Sequence, residues 1–83
     1  MTLLIPLSVE KQFTQMPRAD ARRLRDRLDA IAAAPDVQHP GVVALVGLQG
    51  GFRVRQGDWR AVFSIEDGDV IVDRVAHRRE VYR

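Results

Sequence analysis

The spacing of apolar residues changes once along the chain, from a helical period to a period of two, and this change limits the possible folds. Apolar residues first recur three or four positions apart, at Ala21, Leu24, Leu28 and Ile31. From Phe52 onwards they alternate with polar residues, as in strands with one buried face. Helices followed by strands predict an α+β domain.

The first half of the chain is predicted to hold a short strand and two helices. Residues 2–7 are rich in Leu and Ile and favour a strand, after which Ser8 is expected to cap a helix that runs to about Met16. Pro17 ends that helix, and a second is expected from Arg18 to Ala34, where Pro35 stops it. Two helices joined by one proline turn form a helical hairpin.

The second half is predicted to be an antiparallel meander. Strands are expected at 52–55, 59–65 and 70–75, with Asp67-Gly68 as a two-residue turn between the last two. The apolar run from Val42 to Val46 fits either a strand or a buried loop. The expected fold is an N-terminal helical hairpin packed on a small, mainly antiparallel β-sheet.

Size and composition indicate one small globular domain over residues 1–83. With 46% apolar residues and no cysteine, the fold depends on its apolar core and has no thiolate and no cysteine-bound zinc. No stretch approaches the length of a membrane span, and the first apolar run is too short for a signal peptide. We therefore expect a cytoplasmic protein that does not contact the membrane.

The register of the meander predicts which side chains share a face. A two-residue Asp67-Gly68 loop sets Ile65 opposite Val70 and Arg60 opposite Val75. A two-residue loop at 56–57 or 57–58 puts Arg53 and Arg55 on the same face as Arg60. The other face is the expected core, formed by Phe52, Val54, Trp59, Ala61, Phe63, Ile65, Val70 and Val72.

An arginine cluster is therefore expected on the face opposite the core. Three neighbouring positive charges repel one another, so they suit a site that binds an anion, although chance placement of arginines would give the same pattern. By alternation along the last strand, His77 is expected on the same face as Val75 and the arginines. Arg78, Arg79 and Tyr82 follow it in the sequence.

Arginine forks match phosphate oxygens and stabilise the charge that develops in phosphoryl transfer, but arginine is a poor general base. His77 is either an acid or base, or an ordinary polar residue at a strand end. Tyr82 either titrates or stacks on a base, or it closes the sheet edge. Neither histidine has metal ligands at suitable spacing, so no metal and no cofactor are expected.

Two segments resemble the RelE side of the RelE/ParE toxin superfamily. They are Gly51 to Phe63, with its basic-x-basic strand and aromatic-Arg start of the next strand, and Val75 to Arg83, with its terminal His-Arg-x-x-Val-Tyr. The resemblance extends loosely over nearly the whole chain. It implies a bacterial type II toxin that cleaves messenger RNA in the ribosomal A site without a metal and is inhibited by a cognate antitoxin.

The resemblance also implies roles for individual residues. Arg53 and Arg55 match phosphate-binding positions, and Arg60 matches the arginine that stabilises the transition state. Arg78 matches an arginine linked to leaving-group protonation, and Tyr82 matches a tyrosine linked to activation of the 2′-hydroxyl or to stacking. Arg79 is expected to bind RNA phosphate, and His77 to act as an acid or base or to contact substrate.

One departure and two alternative functions accompany the resemblance. The family's basic-Leu-basic-Gly segment is Ala44-Leu45-Val46-Gly47 here, which removes two cations. The alternatives to an endoribonuclease are a ParE-like inhibitor of DNA gyrase and a decayed, non-catalytic toxin that binds its antitoxin and co-represses their operon. In each case the cognate antitoxin is the expected protein partner, and ribosomal RNA and messenger RNA are the partners of the endoribonuclease.

Overall fold

The computed structural model of the chain describes residues 2–45 and 51–80. Two helices pack on one five-stranded sheet, so the predicted α+β class is confirmed. The helices are α1, Leu7–Thr14, and α2, Arg18–Ala33. The strands are β1, Leu3–Leu4; β2, Val42–Ala44; β3, Gly51–Gln56; β4, Trp59–Glu66; and β5, Asp69–His77.

Prolines define where both helices begin. Pro6 and Pro17 occupy the positions before the first helical residues, and the Pro6 carbonyl accepts hydrogen bonds from Val9 N and Glu10 N at 2.9 and 3.0 Å. The prediction that Ser8 caps α1 is wrong, because α1 already includes Ser8 and has no side-chain cap. The bounds of α2 agree with the prediction to within one residue.

The sheet order is β1-β5-β4-β3-β2, with β1 parallel to β5 and the other pairs antiparallel. Both residues of the β4–β5 turn have positive φ, 52° at Asp67 and 83° at Gly68. This is the geometry of a type I′ turn, which confirms the predicted hairpin. The β3–β4 loop is Gly57-Asp58, one of the two predicted loops. Of the run from Val42 to Val46, residues Val42–Ala44 form a strand, and Val46 lies outside the described residues.

The core lies between the helices and one face of the sheet. Each fully buried aliphatic or aromatic side chain there contributes roughly 1.5–3 kcal/mol to stability. The predicted core face is confirmed, with Phe52, Trp59 and Ile65 packed at its margin. The buried residues common to helices and sheet include Val9, Phe13, Leu24, Leu28, Ile31, Val54, Ala61, Phe63, Val70 and Val72.

A β-bulge in β5 changes which side chains share a face. Phe63 pairs with Val72 but Val62 pairs with Arg74, so Asp73 is the extra residue. Beyond the bulge Arg60 pairs with Ala76 rather than with Val75, and Val75 is buried in the core. The predictions that Val75 and His77 lie on the arginine face are wrong, because one extra residue inverts the parity of the rest of the strand.

Candidate functional site

The structure places three of the predicted arginines on the face of the sheet opposite the helices. Arg55 pairs directly with Arg60, and Arg53 pairs with Val62. Directly opposed residues share a face, and their neighbours Val54 and Ala61 are fully buried on the other side. We call the surface formed by Arg53, Arg55, Arg60 and Val62 the arginine face.

The guanidinium of Arg60 is held at the edge of the arginine face by the backbone. Its Nη1 donates hydrogen bonds to the carbonyl oxygens of Gly57, at 2.7 Å, and Trp59, at 3.0 Å. These contacts tie the side chain to the β3–β4 turn, so its position is set before any ligand arrives.

Burial lowers the pKa of Arg60, and the positive charges of Arg53, Arg55 and Arg78 lower it further. Asp58 acts in the opposite direction. Arginine remains protonated at neutral pH despite such a shift, so the cluster keeps its charge. The lowered pKa means that these cations repel one another, and an anion bound among them relieves that repulsion.

Arg78 joins the cluster from the segment after β5. Its backbone N donates to the Asp58 carbonyl at 2.7 Å, and its Nε lies 3.7 Å from Asp58 Oδ1. Both side chains are more than half exposed, and an exposed ion pair of this kind is worth only about 0–1 kcal/mol. Arg78 can therefore exchange the carboxylate for a phosphate at little cost.

The other predicted site residues are not all brought together. The His77 ring lies edge-on to Trp59, with centroids 5.4 Å apart, on the helix side of the sheet. Arg79 is exposed in the turn that follows, and its backbone N donates to His77 Nδ1 at 3.3 Å. Tyr82 lies outside the described residues. The residues gathered on or beside the arginine face are Arg53, Arg55, Arg60 and Arg78.

Arg74 is a cation that the sequence reasoning missed. The bulge at Asp73 sets Arg74 opposite Val62, in the same cross-strand row as Arg53. Its Nη2 donates to the carbonyl oxygen of Glu80 at 2.6 Å, which ties the segment after β5 back to the strand. The consecutive charges Asp73 and Arg74 interrupt the apolar run of β5, and this interruption was the available sequence signal.

Exposed apolar side chains flank the cations. Val43 of β2 pairs with Arg53 and is 45% exposed, and Leu4 of β1 pairs with Ile71 and is 43% exposed. Cations surrounded by exposed aliphatic side chains suit an amphipathic acidic partner as well as a nucleic acid.

Across residues 2–45 and 51–80, no group of three histidine, cysteine or acidic side chains is placed to hold a metal ion. His39 Nε2 lies 2.8 Å from the Ala34 carbonyl oxygen, where it fastens the connector to the end of α2. What this part of the chain offers is fixed positive charge, which binds phosphate and stabilises charge developing on it. No helix in the described part of the chain is long and apolar enough to cross a membrane.

Comparison with known proteins agrees with this fold. The structure is similar to the toxin in the RelB-RelE antitoxin-toxin complex from Methanococcus jannaschii, with a TM-score of 0.81, 18% identity and coverage of 95% of this chain and 94% of that one. For the archaeal RelE-RelB complex from Pyrococcus horikoshii OT3 the TM-score is 0.79, the identity 24% and the coverage 96% and 97%. For the isolated E. coli RelE toxin the TM-score is 0.78 and the identity 20%, and the match covers 98% of this chain and 89% of that one.

The family is shown by the sequence itself. No curated protein matches the chain significantly. The family model for the ParE toxin of the type II toxin-antitoxin system, parDE, matches residues 7–82. The chain therefore belongs to the ParE toxin family of type II toxin-antitoxin systems, and its expected membership of the RelE/ParE toxin superfamily is confirmed.

Proposed function

We propose that this toxin is a metal-independent endoribonuclease that acts in the cytoplasm and cleaves messenger RNA in the ribosomal A site. The observation that carries the proposal is the cluster of Arg53, Arg55 and Arg78 around Arg60, where burial and, after it, these positive charges lower the pKa of Arg60. Such a concentration of fixed cations has no structural benefit for the sheet, but it matches the charge of an RNA phosphate.

Arg60 is proposed to stabilise the transition state. Cleavage of RNA by its own 2′-hydroxyl passes through a phosphorus with five oxygen neighbours and extra negative charge. A cation already held by the Gly57 and Trp59 carbonyls stabilises that charge without having to reorganise. Arg53 and Arg55 are proposed to bind the neighbouring phosphates, since both lie on the same face as Arg60.

Proton transfer is assigned to the end of the chain. Arg78 is proposed to act at the leaving oxygen, because it lies beside Arg60 and its partner Asp58 is exposed and replaceable. Tyr82 is proposed to activate the 2′-hydroxyl or to stack on a base, and Arg79 to contact phosphate. His77 lies on the helix side, which favours a substrate contact over a role as acid or base.

A cognate antitoxin is the proposed protein partner. The structures from M. jannaschii and P. horikoshii are complexes of RelE with the antitoxin RelB. In this chain an acidic, amphipathic segment would neutralise the arginine face and cover Val43 and Leu4 beside it. Binding there would inhibit the toxin by occupying the RNA site.

The Arg60→Ala variant tests the catalytic proposal. Loss of one preorganised charge-stabilising group typically lowers the rate about 10²–10³-fold, and we expect a fall of that size. The assay is primer extension on messenger RNA in a reconstituted translation reaction. The control is Arg22→Ala, which removes an equally charged but exposed residue of α2 and should cleave at the wild-type rate. Cleavage by Arg60→Ala at the wild-type rate would contradict the proposal.

A ParE-like inhibitor of DNA gyrase is the second candidate, because the matching family model is that of the ParE toxin. An inhibitor that acts by binding needs no catalytic arginine. Supercoiling of plasmid by gyrase, measured with the same preparation, separates the two functions. Blocked supercoiling together with uncleaved messenger RNA would favour this second candidate. If the protein neither cleaves messenger RNA nor blocks supercoiling, the result would indicate a toxin that only binds its antitoxin.

A further inference from the structure

A polar pocket of about 260 Å³ lies at the outer edge of β5, beside the arginine face. Within residues 2–45 and 51–80, β1 pairs with β5 at Val70 and Ile71 only. On the edge away from β4, the later part of β5 therefore lies beside α1. The pocket residues with polar or aromatic side chains are Gln12, Gln15, Trp59, Arg74, His77 and Glu80.

The orientation of the Gln12 amide is fixed by the backbone. Its Oε1 accepts a hydrogen bond from Val75 N at 2.7 Å. A backbone N–H can only donate, so the oxygen of the amide must face the strand and the Nε2 group must face away from it. Gln12, which lines the pocket, therefore has its donor group on the side away from the strand.

The tautomer of His77 is fixed in the same way. Its Nδ1 accepts from Arg79 N at 3.3 Å, so in the neutral ring the proton resides on Nε2. The edge-on contact with Trp59 holds the ring in place. The pocket thus has two donors of known identity, together with an indole.

The pocket is continuous with the proposed phosphate site through two residues. Trp59 precedes Arg60, and its carbonyl oxygen accepts from Arg60 Nη1 at 3.0 Å. Arg74 lines the pocket and also pairs with Val62 of the arginine face. Trp59 and His77, the chain neighbours of Arg60 and Arg78, both line the pocket, so this edge adjoins the proposed phosphate site.

We propose that the pocket binds one unstacked nucleobase of the RNA, with Gln12 Nε2 and His77 Nε2 donating to acceptor atoms on the edge of the base. The chemistry fits a base because unstacked RNA bases are recognised by aromatic side chains and by hydrogen bonds to their edges. Glu80 also lines the pocket and would repel a carboxylate, whereas it can accept from the N–H groups of a base. This inference rests on the proposed function, since it identifies RNA as the ligand.

Trp59 is the only tryptophan and lines the pocket, so all tryptophan fluorescence comes from this residue. The full chain is titrated with 2′-O-methyl tetranucleotides that cannot be cleaved, with each of the four bases, or no base, at one position in turn. A base stacked on an aromatic side chain is worth about 1–3 kcal/mol. We expect a saturable change in Trp59 fluorescence and at least about fivefold weaker binding when the base of one position is missing.

One variant tests the Gln12 donor, and a second tests the effect of negative charge in the pocket. Gln12→Glu keeps an acceptor for Val75 N but replaces the donor in the pocket by an acceptor, so the affinity gap between the intact and abasic tetranucleotides should close. Gln15→Glu puts a negative charge in the same pocket without touching that hydrogen bond and should act in the same direction. Gln38→Glu adds the same charge on the exposed connector and should retain the gap. Thermal melting checks that each variant is folded.

The outcomes separate the pocket from the proposed function. An unchanged Trp59 signal, or equal binding with and without the base at every position, would overturn the pocket assignment even if messenger RNA is cleaved. A Trp59 response to the antitoxin but to none of the tetranucleotides would overturn it as well. If binding of the tetranucleotides depends on the base but messenger RNA is left uncleaved, the result would support the pocket assignment and reject the proposed endoribonuclease activity.

Discussion

Arg60 differs from the neighbouring arginines in the way its charge is held. Two backbone carbonyls fix its guanidinium, and burial and three other cations lower its pKa. Arg78, by contrast, is exposed and bound to an exposed carboxylate. The difference supports the proposal that Arg60 stabilises developing charge and that Arg78 makes an exchangeable contact, because charge stabilisation depends on a preorganised group.

Under the proposed function, Asp58 competes with RNA for Arg78. We expect Asp58→Asn to bind RNA more tightly, by up to about fivefold, because an exposed ion pair of at most about 1 kcal/mol no longer has to be broken. The backbone bond from Arg78 N to the residue 58 carbonyl survives the change. Asp36→Asn removes the same charge from the exposed connector and is the control. Weaker binding by Asp58→Asn in a fluorescence-anisotropy titration would contradict this account.

At the scale of elements, α1 and α2 are joined by the Glu10–Arg25 ion pair. Arg25 Nη1 donates to Glu10 Oε1 at 3.2 Å, Arg25 Nη2 pairs with Glu10 Oε2, and the guanidinium carbon lies 4.3 Å from the centre of the Phe13 ring. The hydrogen bond from Arg25 lowers the pKa of Glu10. The spacing of charges along α2 does not predict this pair, because the partner on α1 is adjacent only in the folded hairpin.

The lowered pKa predicts how stability varies with pH. A carboxyl group whose folded pKa is depressed stabilises the fold above its unfolded pKa of about 4.3, and that contribution is lost as the pH falls through the folded pKa. Glu10→Gln should therefore lower Tm at pH 7 and lessen the fall of Tm below pH 4.3. Asp29→Asn, an exposed change on α2, should melt with the wild-type pH profile. Equal acid sensitivity of Glu10→Gln and the wild type would refute this contribution.

The bulge in β5 makes one deletion tolerable. Phe63 pairs with Val72 and the next residue, Val62, pairs with Arg74, so the pairing already skips Asp73. If Asp73 is deleted, both pairs can remain and each side chain keeps its face of the sheet. We expect deletion of Asp73 to change Tm by no more than about 8 °C, the equivalent of roughly 1 kcal/mol. Deletion of Ile71 would bring Val70 and Val72 together and turn one of them out of the core, so it should unfold the protein. Unfolding on deletion of Asp73 would show that the bulge is required.

Local patterns in the sequence predicted most of the elements. Pro17 and Pro35 end helices, and Asp67-Gly68 forms a turn, through their effect on adjacent residues of the chain. These effects can therefore be predicted from the sequence without knowledge of the tertiary structure. The bulge at Asp73 and the bond from Val75 N to Gln12 depend on contacts between distant segments. The parity of β5 beyond residue 73, and with it the positions of Arg74 and His77, could therefore not be deduced from alternation.

At the scale of the molecule, a net charge of +2 conceals one strongly positive face. Phosphate contacts from such a face release counterions, so RNA affinity should fall steeply with salt. Replacing Arg53 and Arg55 by Ala should reduce the slope of log Kd against log salt by about 0.7 for each contact that is lost. The Arg22→Ala, Arg23→Ala double variant loses the same charge from α2 and should keep the slope. An unchanged slope after loss of Arg53 and Arg55 would place the RNA elsewhere.

Mapping the 5′ ends of messenger RNA in a reconstituted translation reaction tests the central claim most directly. With purified toxin, the account predicts new ends inside the codon that occupies the A site, only when ribosomes are present and without added metal beyond the needs of translation. It also predicts that Arg60→Ala nearly abolishes these ends and that the cognate antitoxin prevents them. Intact messenger RNA on ribosomes exposed to active, folded toxin would contradict the account.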